Sequence, residues 1–122
     1  MTSQLNEQER QTLEVIEIYR AEHETWNLDR LEKLFTDNPT IWRGQDEHVG
    51  KEAVKKLIAG WAARAHHTVM QHSRVVVQGK FAAVEWRTTG TAADGSPVDM
   101  EGANVYELEN GRIKYLAIYR RR

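Results

Sequence analysis

The spacing of apolar residues divides this chain in two: a helical period of three to four prevails up to Ala65, and alternation takes over from His67. In the first part Val15, Tyr19, His23 and Trp26 share one helical face, with Ile16 beside them. Asn6, followed three residues later by Glu9, forms a capping-box pair at the start of that helix. A second, shorter helix fits Leu28 to Phe35, with Leu28, Leu31, Leu34 and Phe35 inward. Asn38-Pro39 stops it, because the residue before proline disfavours helical geometry. Thr40 to Arg43 is a short strand. Gly50 opens the clearest helix, in which Val54, Leu57, Ile58, Trp61, Ala62 and Ala65 form one apolar stripe.

From His67 the chain reads as four strands rich in Val, Thr, Trp and Tyr: His67 to Val77, Phe81 to Thr91, Val98 to Leu108 and Arg112 to Tyr119. Gln78-Gly79, Asp94-Gly95 and Asn110-Gly111 are hairpin turns, which make these strands antiparallel neighbours. The pattern predicts one α+β domain over residues 1–122, with three helices packed on a curved antiparallel sheet of four to five strands. Such a sheet, covered on one side, encloses a cone with an internal pocket. Ala82, Val84, Trp86 and Thr88 suit the inside; Phe81, Ala83, Glu85 and Arg87 suit the outside. The outward apolar set, Phe81, Ala83, Ala103, Val105 and Tyr119, predicts a homodimer through the outer sheet face.

Composition narrows the function classes. The 122 residues contain no cysteine, which excludes disulfides, thiolate metal sites and a cysteine nucleophile. Seventeen Lys and Arg against eighteen Asp and Glu give a net charge of −1, which argues against nucleic acid as a partner held by the overall field. Arg120-Arg121-Arg122 reads as a solvated tail. No apolar run is long enough to span a membrane, and the first residues do not read as a secretory signal, so a cytoplasmic location is expected.

Three stretches resemble the nuclear transport factor 2-like superfamily, which includes SnoaL-like polyketide cyclases, ketosteroid isomerases, limonene epoxide hydrolases and scytalone-type dehydratases. Val15 to Arg43 looks like its first two helices and first strand, and Gly50-Lys51-Glu52-Ala53-Val54 like the start of its third helix. Gly102 to Leu108, followed by Asn110-Gly111-Arg112-Ile113, looks like its penultimate strand and last turn. The resemblance implies fold more than reaction, because this fold hosts many chemistries.

It also implies site residues. Tyr19 falls where ketosteroid isomerases place an oxyanion-binding tyrosine, and Asn104 where they place a protonated aspartic acid with the same duty. The isomerase base, a first-strand aspartate, is replaced by Arg43, which cannot shuttle protons. His67, near where dehydratases and cyclases of the superfamily place a histidine, is the remaining acid/base candidate; His66 and His72 read as surface residues. The expected catalytic set is Tyr19, His67 and Asn104. The expected substrate-binding set is Arg43, Leu57, Trp61, Trp86, Gly102 and Tyr106, with Gly102 leaving room for a ligand and Arg43 open to a ligand carboxylate. No histidine pair has a zinc-ligand spacing with a third partner, so neither metal nor other cofactor is expected. The ligand implied is a small hydrophobic or aromatic molecule, carboxylated if Arg43 pairs with it. One reading is a lyase, isomerase or cyclase acting on a small carbonyl or hydroxyl compound. The other is a non-catalytic ligand-binding or dimerisation domain.

Overall fold

The computed structural model describes residues 4–121. Helix α1 spans Glu7–Thr25, and its start is held as the capping pair requires: the Glu9 backbone N–H donates to Asn6 Oδ1 at 2.8 Å, and the Asn6 N–H donates to the Glu9 carboxylate at 3.1 Å. Helix α2, Leu28–Lys33, is capped by Asn27, whose side chain accepts from Arg30 N–H. Then follow β1 (Phe35–Arg43), β2 (Asp46–Val49), α3 (Lys51–Arg64), β3 (Ala65–Gln78), β4 (Phe81–Ala92), β5 (Pro97–Glu109) and β6 (Arg112–Arg120).

The six strands form one sheet in the order β2-β1-β6-β5-β4-β3. Every neighbouring pair is antiparallel except β1 with β6. Register shifts in β3, between Ala65 and His67 and between His72 and Val75, mark bulges, which bend a strand. Gly90 (φ +141°) sits opposite this bend. A Cβ there would lie 1.9 Å from the His67 carbonyl oxygen, so only glycine permits the strands to approach so closely. The inner face of the sheet packs on α1 and α3 through Ile16, Tyr19, Ile58, Val84, Tyr106 and Leu116, all buried.

The assigned faces hold: Ala82, Val84, Trp86 and Thr88 are buried, while Phe81, Ala83 and Arg87 are exposed. Three expectations need correction. Helix α2 stops at Lys33, and Phe35 opens β1, still buried; Leu28, expected inward, is 44% exposed. Pro39 therefore lies inside a strand rather than ending a helix. It occupies the interval where the β1–β6 register shifts, a place where its missing N–H costs no ladder bond. The sheet has six strands instead of four to five. The unforeseen β2 has only one apolar residue, Val49, in a mostly exposed edge segment, so alternation gave no sign of it.

Candidate functional site

Between the helices and the inner sheet face lies a cavity of about 900 Å³, open at one end. Helix α1 contributes its inward stripe. Tyr19 and His23 stand one turn apart with ring centroids 4.8 Å apart, and the Trp26 ring packs against His23 at 4.7 Å, tilted by 55°. Trp26 reaches that position because it leaves the helix in the left-handed conformation (φ 52°, ψ 45°), its N–H donating to Glu22 O at 2.6 Å. The buried Glu22 carboxylate secures the turn by accepting from Thr25 Oγ1, Asn27 N–H and Arg30. Burial works to raise the Glu22 carboxyl, but these donors outweigh it and hold it below the usual value.

Among the described residues, His23 is the one buried imidazole on the cavity wall. A backbone carbonyl only accepts, so Nδ1–H donates to Tyr19 O at 2.9 Å and Nε2 keeps its lone pair. Burial lowers the ring pKa to about 4, so His23 is neutral near pH 7. Nε2 is left as the ring nitrogen able to accept from a molecule in the cavity.

Asn104, from β5, is 2% exposed. Trp86 Nε1–H donates to its Oδ1 at 2.7 Å, and its Nδ2 donates to the Tyr106 hydroxyl at 3.0 Å. An indole nitrogen only donates, so this contact fixes which way the amide points. One Nδ2–H remains for a ligand. Tyr19 packs edge-on against Tyr106 at 5.9 Å. Burial first, and the neighbouring Tyr106 second, push its phenol pKa well above 10, so Tyr19 is a donor and stays protonated.

The sequence-expected residues divide. Tyr19, Arg43, Trp61, Trp86 and Asn104 line the cavity. Arg43 stands at the mouth, its guanidinium 5.8 Å above the Trp61 ring. Tyr106 is fully buried beneath the floor, and Leu57 is half-buried against the core instead of the cavity. His67, expected on the wall, is exposed, because strand parity turns Thr68 and Met70 inward in its place. Thr68 Oγ1 donates to the His23 carbonyl at 2.9 Å. Gly102 gives no room to a ligand: a Cβ there would lie 2.2 Å from Tyr119 O and 3.0 Å from the Trp86 ring, so its missing side chain serves strand packing.

His72, read as a surface residue, points inward, its side chain 7% exposed. Its Nδ1 donates to the Glu17 carboxylate at 2.9 Å, and its Nε2 is buried with no partner. Burial lowers its pKa, partly opposed by Glu17. The His66 side chain lies outside the described residues.

Sequence reasoning missed His23 as chemistry, although its place four residues after Tyr19 on the apolar stripe was the available signal. It also missed Arg64 and Arg120 as cavity residues. Among the described residues no group of three or more His, Asp or Glu side chains is placed to hold a metal ion. None of the helices is long and apolar enough to cross a membrane.

A family model described as a SnoaL-like domain matches residues 14–116. No curated protein matches the chain. Among solved structures, a protein assigned as a SnoaL-like polyketide cyclase from Jannaschia sp. CCS1 superposes with a TM-score of 0.84 at 16% identity, covering 98% of this chain and 92% of that one. An NTF2-like protein of unknown function from Exiguobacterium sp. 255-15 gives 0.71 at 25% identity, covering 89% and 97%. The epoxide hydrolase/cyclase-like enzyme SalBIII, which acts in pyran ring formation in salinomycin, gives 0.79 at 20% identity, covering 92% of each chain.

Proposed function

Since the chain belongs to the SnoaL-like domain family, we propose that its cavity holds a small carbonyl or hydroxyl compound and moves a proton on it, as a lyase, isomerase or cyclase does. The observation that carries this reading is His23: buried, neutral, its tautomer fixed by Tyr19 O, and lining the same cavity as Asn104. Nε2 would take a proton from the carbon next to a carbonyl. The oxygen, gaining negative charge, would be held by the free Asn104 Nδ2–H and the Tyr19 hydroxyl, and the proton returned at a second position. His23 here takes the role that sequence reasoning gave to His67. The ring-closing chemistry of SalBIII is a likeness in fold, and it supports only the general class.

The test is proton exchange. Small ketones and hydroxy-ketones, incubated with the protein in D₂O, should gain deuterium next to the carbonyl, followed by mass spectrometry. His23→Phe should abolish this exchange, and Asn104→Leu should slow it about a hundredfold or more, as loss of one oxyanion donor does. Exchange that survives in His23→Phe would sink the assignment of the base.

A second reading, binding without turnover, draws on Arg43, which stands where the isomerases of this superfamily carry a first-strand acid. Its signature would be ligand affinity with no exchange in any compound. On either reading the protein is proposed to act as a cytoplasmic homodimer. The outward Phe81, Val105 and Tyr119, all more than a third exposed, supply the apolar surface for that contact.

A further inference from the structure

The arginines among the described residues fall into two groups. Arg10, Arg20, Arg30, Arg74, Arg87, Arg112 and Arg121 each pair with a carboxylate. Arg43, Arg64 and Arg120 have no ion pair among the described residues, and these three line the cavity. They come from three elements that end at its mouth. Arg43 closes β1 and Arg120 closes β6, two residues past Ile118, the β6 residue in register with Arg43. Arg64 ends α3, one turn after Trp61, whose ring lies under the Arg43 guanidinium. The acidic residue of the wall, Asp99, is already gripped by Arg87 through two contacts of 3.0 Å. Among the described residues, none makes an ion pair with the three arginines of this rim.

The wall carries a second unmet demand. The indole N–H groups of Trp26 and Trp61 are buried and have no acceptor, and both residues line the cavity. Buried donors are nearly always paired, so two of them on one cavity call for an oxygen-bearing occupant. Deeper in, the wall changes character to Tyr19, Met70, Trp86 and Ile118, with neutral His23 and no cationic side chain.

From this arrangement we infer that the occupant is an organic acid, its apolar body inside the cavity and its carboxylate at the rim among Arg43, Arg64 and Arg120. The inference rests on the reading of the cavity as a ligand site and adds the substrate class. The planar guanidinium fork suits a carboxylate, and the two indole donors suit its second oxygen or a neighbouring carbonyl. The three arginines are exposed, so each contact is worth what a solvated ion pair is worth. Removing one should weaken acid binding about two- to fivefold, and removing all three about tenfold or more.

Isothermal titration with three acid–ester pairs tests this: cyclohexylacetate, phenylacetate and 2-naphthoate, each against its methyl ester, with inorganic phosphate as a further arm. Wild type is compared with Arg43→Gln/Arg64→Gln/Arg120→Gln, its fold checked by circular dichroism. The expected result is at least one acid binding about tenfold more tightly than its ester. That preference should vanish in the triple variant and shrink at 1 M salt, while ester affinity stays unchanged. Acids and esters bound alike, or a preference that survives in the triple variant, would overturn the inference and leave the ligand-site reading standing. Phosphate bound as tightly as the acids would overturn the amphipathic class. No heat from any acid or ester at millimolar concentration would overturn both readings together.

Discussion

Trp86 and Asn104 sit on adjacent antiparallel strands, one diagonal step apart, and the indole N–H of the first donates to the amide oxygen of the second at 2.7 Å. This bond joins a wall residue of the cavity to the amide that presents the remaining N–H, so cavity shape and amide direction are set together.

Breaking that bond from the tryptophan side leaves a buried amide oxygen unpaired. Trp86→Phe should therefore lower stability by about 1–3 kcal/mol from the lost partner alone, with packing loss added. Asn104→Leu strands the indole donor instead and should cost a similar amount. Urea unfolding at pH 7 checks both, and a change under about half a kcal/mol in either would contradict the buried bond.

His23 makes stability depend on pH. Its folded pKa, about 4, lies below the unfolded value near 6.5, so the unfolded chain binds a proton that the folded ring refuses. The contribution is whole above pH 6.5 and is lost as pH falls toward 4, to a total of about 3 kcal/mol. His72, also lowered by burial, acts in the same direction. Urea unfolding between pH 4 and pH 7 should show the slope, and His23→Phe should flatten most of it. NMR titration of the ring giving a pKa near 6.5 would defeat the prediction.

Gly102 separates two ideas about the cavity. If its missing side chain served a ligand, Gly102→Ala would lower affinity and spare the fold. The 2.2 Å approach of Tyr119 O requires the opposite, a stability loss of about 1–3 kcal/mol as the strands are forced apart. Thermal unfolding of the ligand-free variant decides between them.

The outer sheet face should carry the dimer. Phe81 is 48% and Tyr119 61% exposed, and Ala103 is directly opposite Tyr119 in the β5–β6 register. Light scattering at micromolar concentration should give twice the chain mass for wild type, and Phe81→Lys/Tyr119→Lys should give one chain mass with an unchanged circular dichroism spectrum. A monomeric wild type would remove the proposal.

Much of the architecture was legible because it is written in local periods. The α1 capping pair, the α3 stripe and the alternation of Ala82, Val84, Trp86 and Thr88 each follow from neighbours within a few residues, and each appears in the fold. The Asn110-Gly111 turn appears too, both residues at positive φ as a two-residue hairpin asks. β2 was not legible, because an exposed polar edge strand carries no burial to impose a pattern.

The site was legible only in part. Tyr19 and Asn104 could be named from the sequence, and they do line one cavity. Which histidine joins them could not, since that depends on strand parity after a bulge and on the angle at which α1 crosses the sheet. One step along β3 puts Thr68 inside and His67 out, while four steps along α1 bring His23 under Trp26. Apart from β2 and the boundary between α2 and β1, the sequence alone determined the elements, their order and which face of most of them is apolar, because hydrophobic burial acts on residues close in the chain. The tertiary structure decided that Arg43, Arg64 and Arg120 share one rim and that His23 shares a cavity with Asn104. Those residues are far apart in sequence, and only the closing of helices over a bent sheet brings their side chains together.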